Sequence, residues 1–203
     1  LESVQVITYI HARAQYTVCK SLHASTCLQI EFVEVGMSHR ILIAYASRTG
    51  VTAEFAQTLA QAPAFAADRV QVLKMQDVRD LDGFDAVILG SSVRFGQWLA
   101  EAQKFVESRQ KDLTQRPTAL FTVHDLNRGG DAASRLQREA YLAKVRPLLQ
   151  ARCEGFFVGR TEAARLNFFE RLLLRMIPQE TGAPASPQAL QAWAQTARTA
   201  LFS

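Results

Sequence analysis

Apolar and polar positions alternate in two distinct ways along most of the chain after residue 39. Short apolar runs bounded by turn residues predict buried strands, whereas apolar positions three or four residues apart predict amphipathic helices. The predicted strands are Arg40–Tyr45, Arg69–Met75, Phe84–Gly90, Pro117–Val123 and Cys153–Gly159. The predicted helical stretches are Val51–Gln61, Gln97–Leu113, Asp131–Gln150 and Ser186–Phe202, with a short turn or helix at Val78–Gly83. Because strands and helices alternate, the pattern predicts a parallel sheet with helices on both faces.

The junction between the first predicted strand and the first predicted helix is rich in hydroxyl groups. It reads Ser47-Arg48-Thr49-Gly50-Val51-Thr52. The first backbone N–H groups of a helix lack intrahelical partners and lie at the positive end of its dipole, so they favour an anion. The hydroxyls add donors, and the glycine allows close approach of the backbone. The junction therefore predicts a phosphate site; an ordinary turn rich in N-capping residues is the alternative.

This junction differs from two common nucleotide-binding motifs, because it has neither the Gly-Lys-Ser/Thr ending of a P-loop nor a Gly-x-Gly-x-x-Gly pattern. Its pattern is Tyr45-x-Ser47-x-x-Gly50-x-Thr52-x-x-x-Ala56-x-x-Leu59, which resembles the FMN-phosphate signature of flavodoxins. The resemblance implies an FMN cofactor and a flavodoxin-like α/β fold. Such a fold is a three-layer sandwich whose five-stranded parallel sheet has the order 2-1-3-4-5, with the ligand crevice between strands 1 and 3.

Two further loops follow the third and fourth predicted strands, where the ring of a flavin bound through that phosphate would lie. The first loop offers small residues for close backbone approach and aromatic faces at Phe95 and Trp98. Arg94 would stabilise negative charge on the reduced flavin, or cap a helix. His124 would contact flavin or substrate, or be an exposed loop histidine without a role. The cofactor-binding candidates in the two loops are Ser91, Ser92, Val93, Arg94, Phe95, Gly96, Trp98, His124 and Asp125.

An extra segment, Arg160–Pro184, separates the fifth predicted strand from the last helix. Its central part, ARLNFFERLLLRMIP, has the apolar spacing of an amphipathic helix with arginines on the other side. Packing on its own domain is one interpretation. The other is an apolar surface bordered by arginines, for a substrate or for peripheral membrane contact through 161–177. The candidates for that contact are Arg165, Phe168, Phe169, Arg171, Leu172 and Arg175.

A narrower resemblance rests on two segments, GSSVRFG at 90–96 and FFERLLLRMI at 168–177. Both look like the bacterial menaquinone-dependent protoporphyrinogen oxidases, and the similarity covers roughly Arg40–Phe202. The resemblance implies an FMN enzyme of haem biosynthesis that takes electrons from protoporphyrinogen IX and passes them to a quinone. It also implies a cytoplasmic protein associated peripherally with the inner face of the cell membrane. The residues themselves indicate no obligatory acid or base, so no catalytic residue is predicted.

Charge and composition bear on the choice between functions. The net charge is +4 and the pI is about 9.2. Flavodoxins that carry electrons between redox proteins are usually acidic, so the basic balance favours an enzyme over a flavodoxin-type electron carrier. An NAD(P)H:quinone reductase of the same fold is a further alternative, although no nicotinamide-binding signature is visible, and so is a cofactor-free regulatory or binding domain. The three cysteines and four histidines lack metal-ligand spacing, and no basic block predicts nucleic-acid binding.

Residues 1–36 have neither a helical stripe nor a signal-peptide pattern. Met37 stands immediately before the first convincing strand, and Glu34-Val35-Gly36 is compatible with a ribosome-binding sequence in the coding strand. We therefore expect an upstream extension of the reading frame, with Met37 as the natural start of a flavodoxin-like domain at 37–203. A real extension that adds an edge strand is the alternative. Residues 1–36 contain two basic and three acidic residues, so the remainder carries a net charge of +5.

Overall fold

The computed structural model describes residues 5–11, 14–20, 38–159 and 185–203. The chain divides into two compact units, Leu1–Ser38 and His39–Ser203. In the first unit, β1 (Gln5–His11) and β2 (Ala14–Lys20) pair antiparallel in a two-stranded sheet of their own. Within this unit the described strands form a hairpin. That Met37 is the natural start stays a prediction.

The second unit is built on a parallel sheet whose order is β4-β3-β5-β7-β8. Counted along this unit, its parallel strands lie in the order 2-1-3-4-5, which confirms the prediction. A short strand, β6, pairs antiparallel with the end of β5. The strands are β3 (Arg40–Ala46), β4 (Arg69–Lys74), β5 (Ala86–Arg94), β6 (Gln97–Trp98), β7 (Thr118–His124) and β8 (Cys153–Val158).

Five α-helices and two short 3₁₀ turns lie in the described part of the second unit. The 3₁₀ turns are Pro63–Phe65 and Met75–Asp77. The helices are α1 (Val51–Ala60), α2 (Ala100–Ser108), α3 (Gln110–Thr114), α4 (Ala132–Ala140) and α5 (Pro187–Phe202).

Two predicted helices differ from the structure. The stretch Gln97–Leu113 begins as β6, because Gln97 and Trp98 pair with β5, and it divides into α2 and α3 at Arg109. The stretch Asp131–Gln150 ends as an α-helix at Ala140 and continues as a series of turns. Pro147 lies in those turns; it has no N–H to donate and disfavours helical backbone at the residue before it.

Two hydrophobic layers cover the sheet, one on each face. Leu42 belongs to the layer under α2, α3 and the turns after α4, whereas Ile41 and Ile43 belong to the layer under α1 and α5. All three are fully buried, because consecutive strand residues point to opposite faces and both faces are covered. The three-layer sandwich is thus as predicted, and the carboxyl ends of its parallel strands form one edge.

Candidate functional site

The junction between β3 and α1 has the backbone geometry of an anion site. Gly50 is the N-cap of α1 and adopts φ 89° and ψ −15°, a left-handed conformation that glycine reaches without steric cost. Its N–H donates to Ser47 Oγ at 3.0 Å, which closes the turn. The first intrahelical bond runs from Glu54 N to Gly50 O at 3.1 Å. The N–H groups of the first turn therefore point at the space in front of the junction.

Thr52 is the residue of this junction whose environment indicates a missing ligand. Its side chain is fully buried, yet Oγ1 has no hydrogen-bond partner among the described residues. A buried hydroxyl without a partner is destabilising by about 1–3 kcal/mol and is uncommon in native proteins. A phosphate oxygen at the start of α1 would accept from this hydroxyl and from the adjacent N–H groups, so the residues present fit the phosphate of FMN.

The other residues of the junction have different environments. Val51 is buried and packs in the layer beneath α1, so it offers a ligand its backbone rather than its side chain. Arg48 is exposed and Thr49 is half-buried, and each has interactions of its own. The predicted set 47–52 therefore lies together as one loop.

The predicted strand Phe84–Gly90 continues in the structure as β5 to Arg94, and the loop that follows it is a tight hairpin. Arg94 pairs with Gln97, so the turn consists of two residues, Phe95 and Gly96, with φ of 50° and 71°. Positive φ at both central positions is the type I′ geometry that matches the twist of paired strands. Phe95 is 82% exposed, and the Arg94 guanidinium lies 5.0 Å from its ring centroid. The hairpin thus presents an aromatic ring and a cation at the carboxyl edge.

Two candidates of this loop serve the fold instead. Trp98 is 2% exposed and its Nε1 donates to Thr122 Oγ1 at 2.9 Å, so its ring lies in the core. The structure thus gives Trp98 a place in the core, and its flavin contact stays a prediction. Ser91 is fully buried; its Oγ donates to Ser92 O at 2.9 Å and accepts from Leu99 N at 3.2 Å. Ser92 and Val93 are half-buried and lie near the carboxyl end of β5.

The loop after β7 begins with a buried histidine, contrary to the exposed alternative. His124 is 4% exposed, and its ring packs against the ring of Tyr141 with centroids 5.8 Å apart. Nδ1 lies 2.8 Å from Leu126 O; since a carbonyl only accepts, Nδ1 carries the proton. Burial lowers the pKa of His124, and the positive charges of Arg138 and Arg128 lower it further, against the opposing effects of the Leu126 hydrogen bond and of Asp125. The ring is therefore neutral at neutral pH.

The rest of this loop is held by side chains that the sequence did not single out. Asp125 forms an ion pair with Arg128, whose Nε also donates to Asp125 O at 2.6 Å. Asn127 has φ of 61° and donates through Nδ2 to Tyr141 Oη at 2.6 Å. Arg138 donates to the main-chain oxygens of Asn127 and Gly129. No sequence motif links residues 138 and 141 to this loop, because their contacts depend on where α4 ends.

A small polar cleft of about 90 Å³ adjoins the junction on its β4 side. It shares Ser47 with the junction. The sequence did not predict it, because its walls come from β3, the junction, β4, the 3₁₀ turn that follows β4, and α2. The lining residues are Tyr45, Ser47, Lys74, Met75, Gln76 and Glu101.

Several predicted contacts lie outside the described residues. They are the substrate or membrane candidates Arg165, Phe168, Phe169, Arg171, Leu172 and Arg175, together with the whole of 160–184. In the part of the chain that the structure describes, no helix is long and apolar enough to cross a membrane. The same residues contain no cluster of three or more potential metal ligands.

Comparison with known proteins identifies the fold and a group of relatives. The family described as Flavodoxin domain matches residues 42–188. The chain is 27% identical over 154 residues to protoporphyrinogen IX dehydrogenase (quinone) of Leishmania major, which covers 71% of this chain and 64% of that protein. It is 24% identical over 148 residues to the protein of the same name from Escherichia coli K12, which covers 70% and 81%. The chain thus spans less than two thirds of the Leishmania relative.

Solved structures agree on the architecture. Oxidised flavodoxin 1 from Bacillus cereus has a TM-score of 0.52 and 14% identity, covering 81% of this chain and 99% of that one. A flavodoxin from the domain Archaea has a TM-score of 0.51 and 16% identity, with the same coverages. At these identities the structures show the fold alone. They confirm the predicted flavodoxin-like fold, and the match to the flavodoxin family supports FMN as the predicted cofactor.

Proposed function

The chain belongs to the flavodoxin domain family, and from this we propose that it is an FMN-dependent dehydrogenase that oxidises a porphyrinogen and reduces a quinone. The observation that carries the FMN site of this proposal is the buried hydroxyl of Thr52 at the start of α1, which has no hydrogen-bond partner among the described residues. It lies on the same edge of the sheet as the loops after β5 and β7, which would flank the ring of the cofactor. FMN, when bound, supplies the chemistry of electron transfer, and the protein positions it.

Each part of the edge has a role in this proposal. Ser47 and Thr52 would hold the phosphate through their hydroxyls, and the backbone N–H groups that follow Gly50 in the first turn of α1 would donate to it. The hairpin at Phe95 and the loop that follows His124 lie at this edge and would flank the ring. The neutral ring of His124 adds no charge of its own to the pocket.

The surface around this edge fits an apolar substrate that carries carboxylates. Large apolar side chains that are exposed among the described residues are Phe95, Leu126 and Leu136. Phe95 and Leu126 are 82% and 43% exposed and follow adjacent strands, so both border the proposed ring site. Exposed apolar groups favour a flat hydrophobic ligand, and Arg94 beside Phe95 offers a cation for a propionate. The names of the two curated relatives support the same substrate class.

The experiment that tests this function is anaerobic turnover of FMN-loaded protein. Protoporphyrinogen IX is mixed with a menaquinone analogue, and porphyrin fluorescence is followed; matched reactions lack quinone or lack FMN. We expect porphyrin to form only when both are present. NADH and NADPH replace the porphyrinogen in a third reaction and should give no quinone reduction. Reduction by a nicotinamide, or no porphyrin at all, contradicts the proposal and favours a quinone reductase or an electron carrier.

The proposed substrates also suggest where the protein works. A lipid-soluble quinone favours a cytoplasmic protein in peripheral contact with the inner face of the cell membrane. Fractionation of cells tests this, because a peripheral protein should pellet with membranes at low salt and be released at high salt. Recovery in the soluble fraction at every salt concentration contradicts it.

A further inference from the structure

One tyrosine, which the sequence did not single out, contacts both loops that flank the proposed ring site. Tyr141 follows α4 and is 5% exposed. Its main-chain oxygen accepts from Trp98 N in β6 at 3.4 Å, which ties it to the hairpin after β5. Its hydroxyl donates to Leu126 O at 3.2 Å and accepts from Asn127 Nδ2 at 2.6 Å, which ties it to the loop after β7.

We propose that Tyr141 is a positioning residue that sets the loops after β5 and β7 at the separation required by the flavin ring. The inference rests on the proposed function in one respect, namely that the ring of the FMN lies between these loops. Tyr141 is not a catalytic residue in this account, since it acts through the backbone that it holds.

The hydrogen bonds to Leu126 O explain why the hydroxyl matters. This carbonyl accepts from His124 Nδ1 at 2.8 Å and from Tyr141 Oη at 3.2 Å. Two donors fix the direction of the peptide, and the next residue, Asn127, is held at φ of 61° by its own bond to the same hydroxyl. Without the hydroxyl, Leu126 O keeps one bond, from His124, and the backbone at Leu126 and Asn127 gains freedom, so part of the ordering would occur when the flavin binds.

The ring of Tyr141 contributes separately from its hydroxyl. It packs against His124, and the buried Leu142 follows it in the chain. Tyr141→Phe removes the hydroxyl and retains this packing, so the variant separates positioning of the loop from support of the core. Asn127→Gly removes the same hydrogen bond from the opposite side, and glycine still reaches the positive φ of this position.

The test measures the dissociation constants of FMN and riboflavin for the full chain by quenching of flavin fluorescence. Loss of two hydrogen bonds should weaken binding about ten-fold in Tyr141→Phe, equally for both flavins because the ring is common to both. Asn127→Gly should weaken both as well. In the double variant the dissociation constants should rise by less than the product of the two single-variant fold-changes, because both substitutions remove the same hydrogen bond between Asn127 and Tyr141. Visible circular dichroism of the bound flavin should change in each variant.

Thr196→Val is the control, since it removes a hydroxyl that donates to Ala192 O at 3.2 Å on the exposed side of α5. It should leave both dissociation constants unchanged. Unaltered flavin affinity and visible circular dichroism in Tyr141→Phe and Asn127→Gly, even with a lower melting temperature, overturn the inference and leave Tyr141 a purely structural residue. Normal flavin binding in wild type without porphyrinogen turnover counts against the proposed function alone.

Discussion

At the scale of single residues, Thr52 connects the phosphate junction to the stability of the protein. Its hydroxyl is buried without a partner among the described residues, so the protein without ligand carries the cost of desolvating it. The phosphate junction at 47–52 was predictable from the sequence, because hydroxyls and a glycine at the start of a helix are typical of an anion site whatever the rest of the fold. That Thr52 is buried and unpaired depends on packing and could not be read from the pattern.

Thr52→Val should therefore have opposite effects on stability and on binding. Valine has nearly the same shape and no hydroxyl, so the free energy of unfolding without flavin should rise by about 1 kcal/mol. FMN affinity should fall about ten-fold through the lost phosphate contact, and riboflavin affinity should stay unchanged. Denaturant unfolding and flavin titration measure the two effects.

Thr58→Val is the control, because the Thr58 hydroxyl already donates to Glu54 O at 2.8 Å on the exposed side of the same helix. Thr58→Val should leave the affinities for FMN and for riboflavin unchanged. A destabilised Thr52→Val protein, or an equal loss of FMN and riboflavin binding, would show that Thr52 does not serve the phosphate.

His124 predicts a specific pH dependence of stability. Burial holds the pKa of the folded state below the ordinary 6.5. At a pH between the lowered pKa of the folded state and the ordinary pKa of the unfolded chain, His124 is protonated only in the unfolded chain. Protonation therefore favours the unfolded state increasingly as pH falls through this range. The free energy of unfolding should be insensitive to His124 well above pH 6.5 and should decrease as pH falls below that value.

His124→Asn isolates this contribution, since asparagine also has an N–H for Leu126 O and does not titrate. The stability difference between wild type and variant should be constant at alkaline pH and should shift against wild type as the solution is acidified. Urea unfolding across the pH range measures it. A difference that does not depend on pH would mean that the imidazole is not held neutral.

At the scale of secondary structure, the buried strands were predictable and the β5–β6 hairpin was not. Strand runs such as Ala86–Leu89 are fully buried, so their apolar residues reveal them directly. The turn of the hairpin lacks the Asn-Gly or Asp-Gly signal of its geometry. Instead Phe95 has φ of 50°, which costs energy for a residue with an aromatic side chain. The fold accepts this conformation at the point where an exposed ring borders the proposed site.

Replacing Phe95, whose φ is strained, should raise the free energy of unfolding and lower porphyrinogen turnover. Phe95→Asn places at this position a residue that tolerates positive φ, so the free energy of unfolding should rise by about 1 kcal/mol. Porphyrinogen turnover should fall about ten-fold if the ring contacts flavin or substrate. Gly96→Ala is the contrasting variant; it should destabilise the protein because Gly96 has φ of 71°, although its site has free space. Unchanged turnover in Phe95→Asn would remove the ring from the site.

At the scale of the whole molecule, the order of the sheet determines which residues meet. The phosphate junction, the hairpin and the loop after β7 are far apart in sequence, and parallel strands bring them to one edge. The alternation of strands and helices made this edge predictable. The contacts of Trp98 and Tyr141 were not predictable. Trp98 is buried because β6 pairs with β5, and the position of Tyr141 depends on where α4 ends.

The net charge is also a property of the whole molecule. A value of +4 agrees better with anionic small-molecule ligands than with the acidic surface of an electron carrier.

The central claim is that a porphyrinogen is the electron donor, and the reductive half-reaction tests it most directly. FMN-loaded protein is mixed anaerobically in a stopped-flow instrument with a single equivalent of protoporphyrinogen IX, without quinone, and the absorbance of oxidised flavin is followed. We predict that the absorbance of oxidised flavin bleaches, because each FMN accepts two of the six electrons that protoporphyrinogen IX loses on its way to the porphyrin, and that NADH and NADPH cause no bleaching. Persistence of oxidised flavin with the porphyrinogen, or bleaching by a nicotinamide instead, would contradict the account.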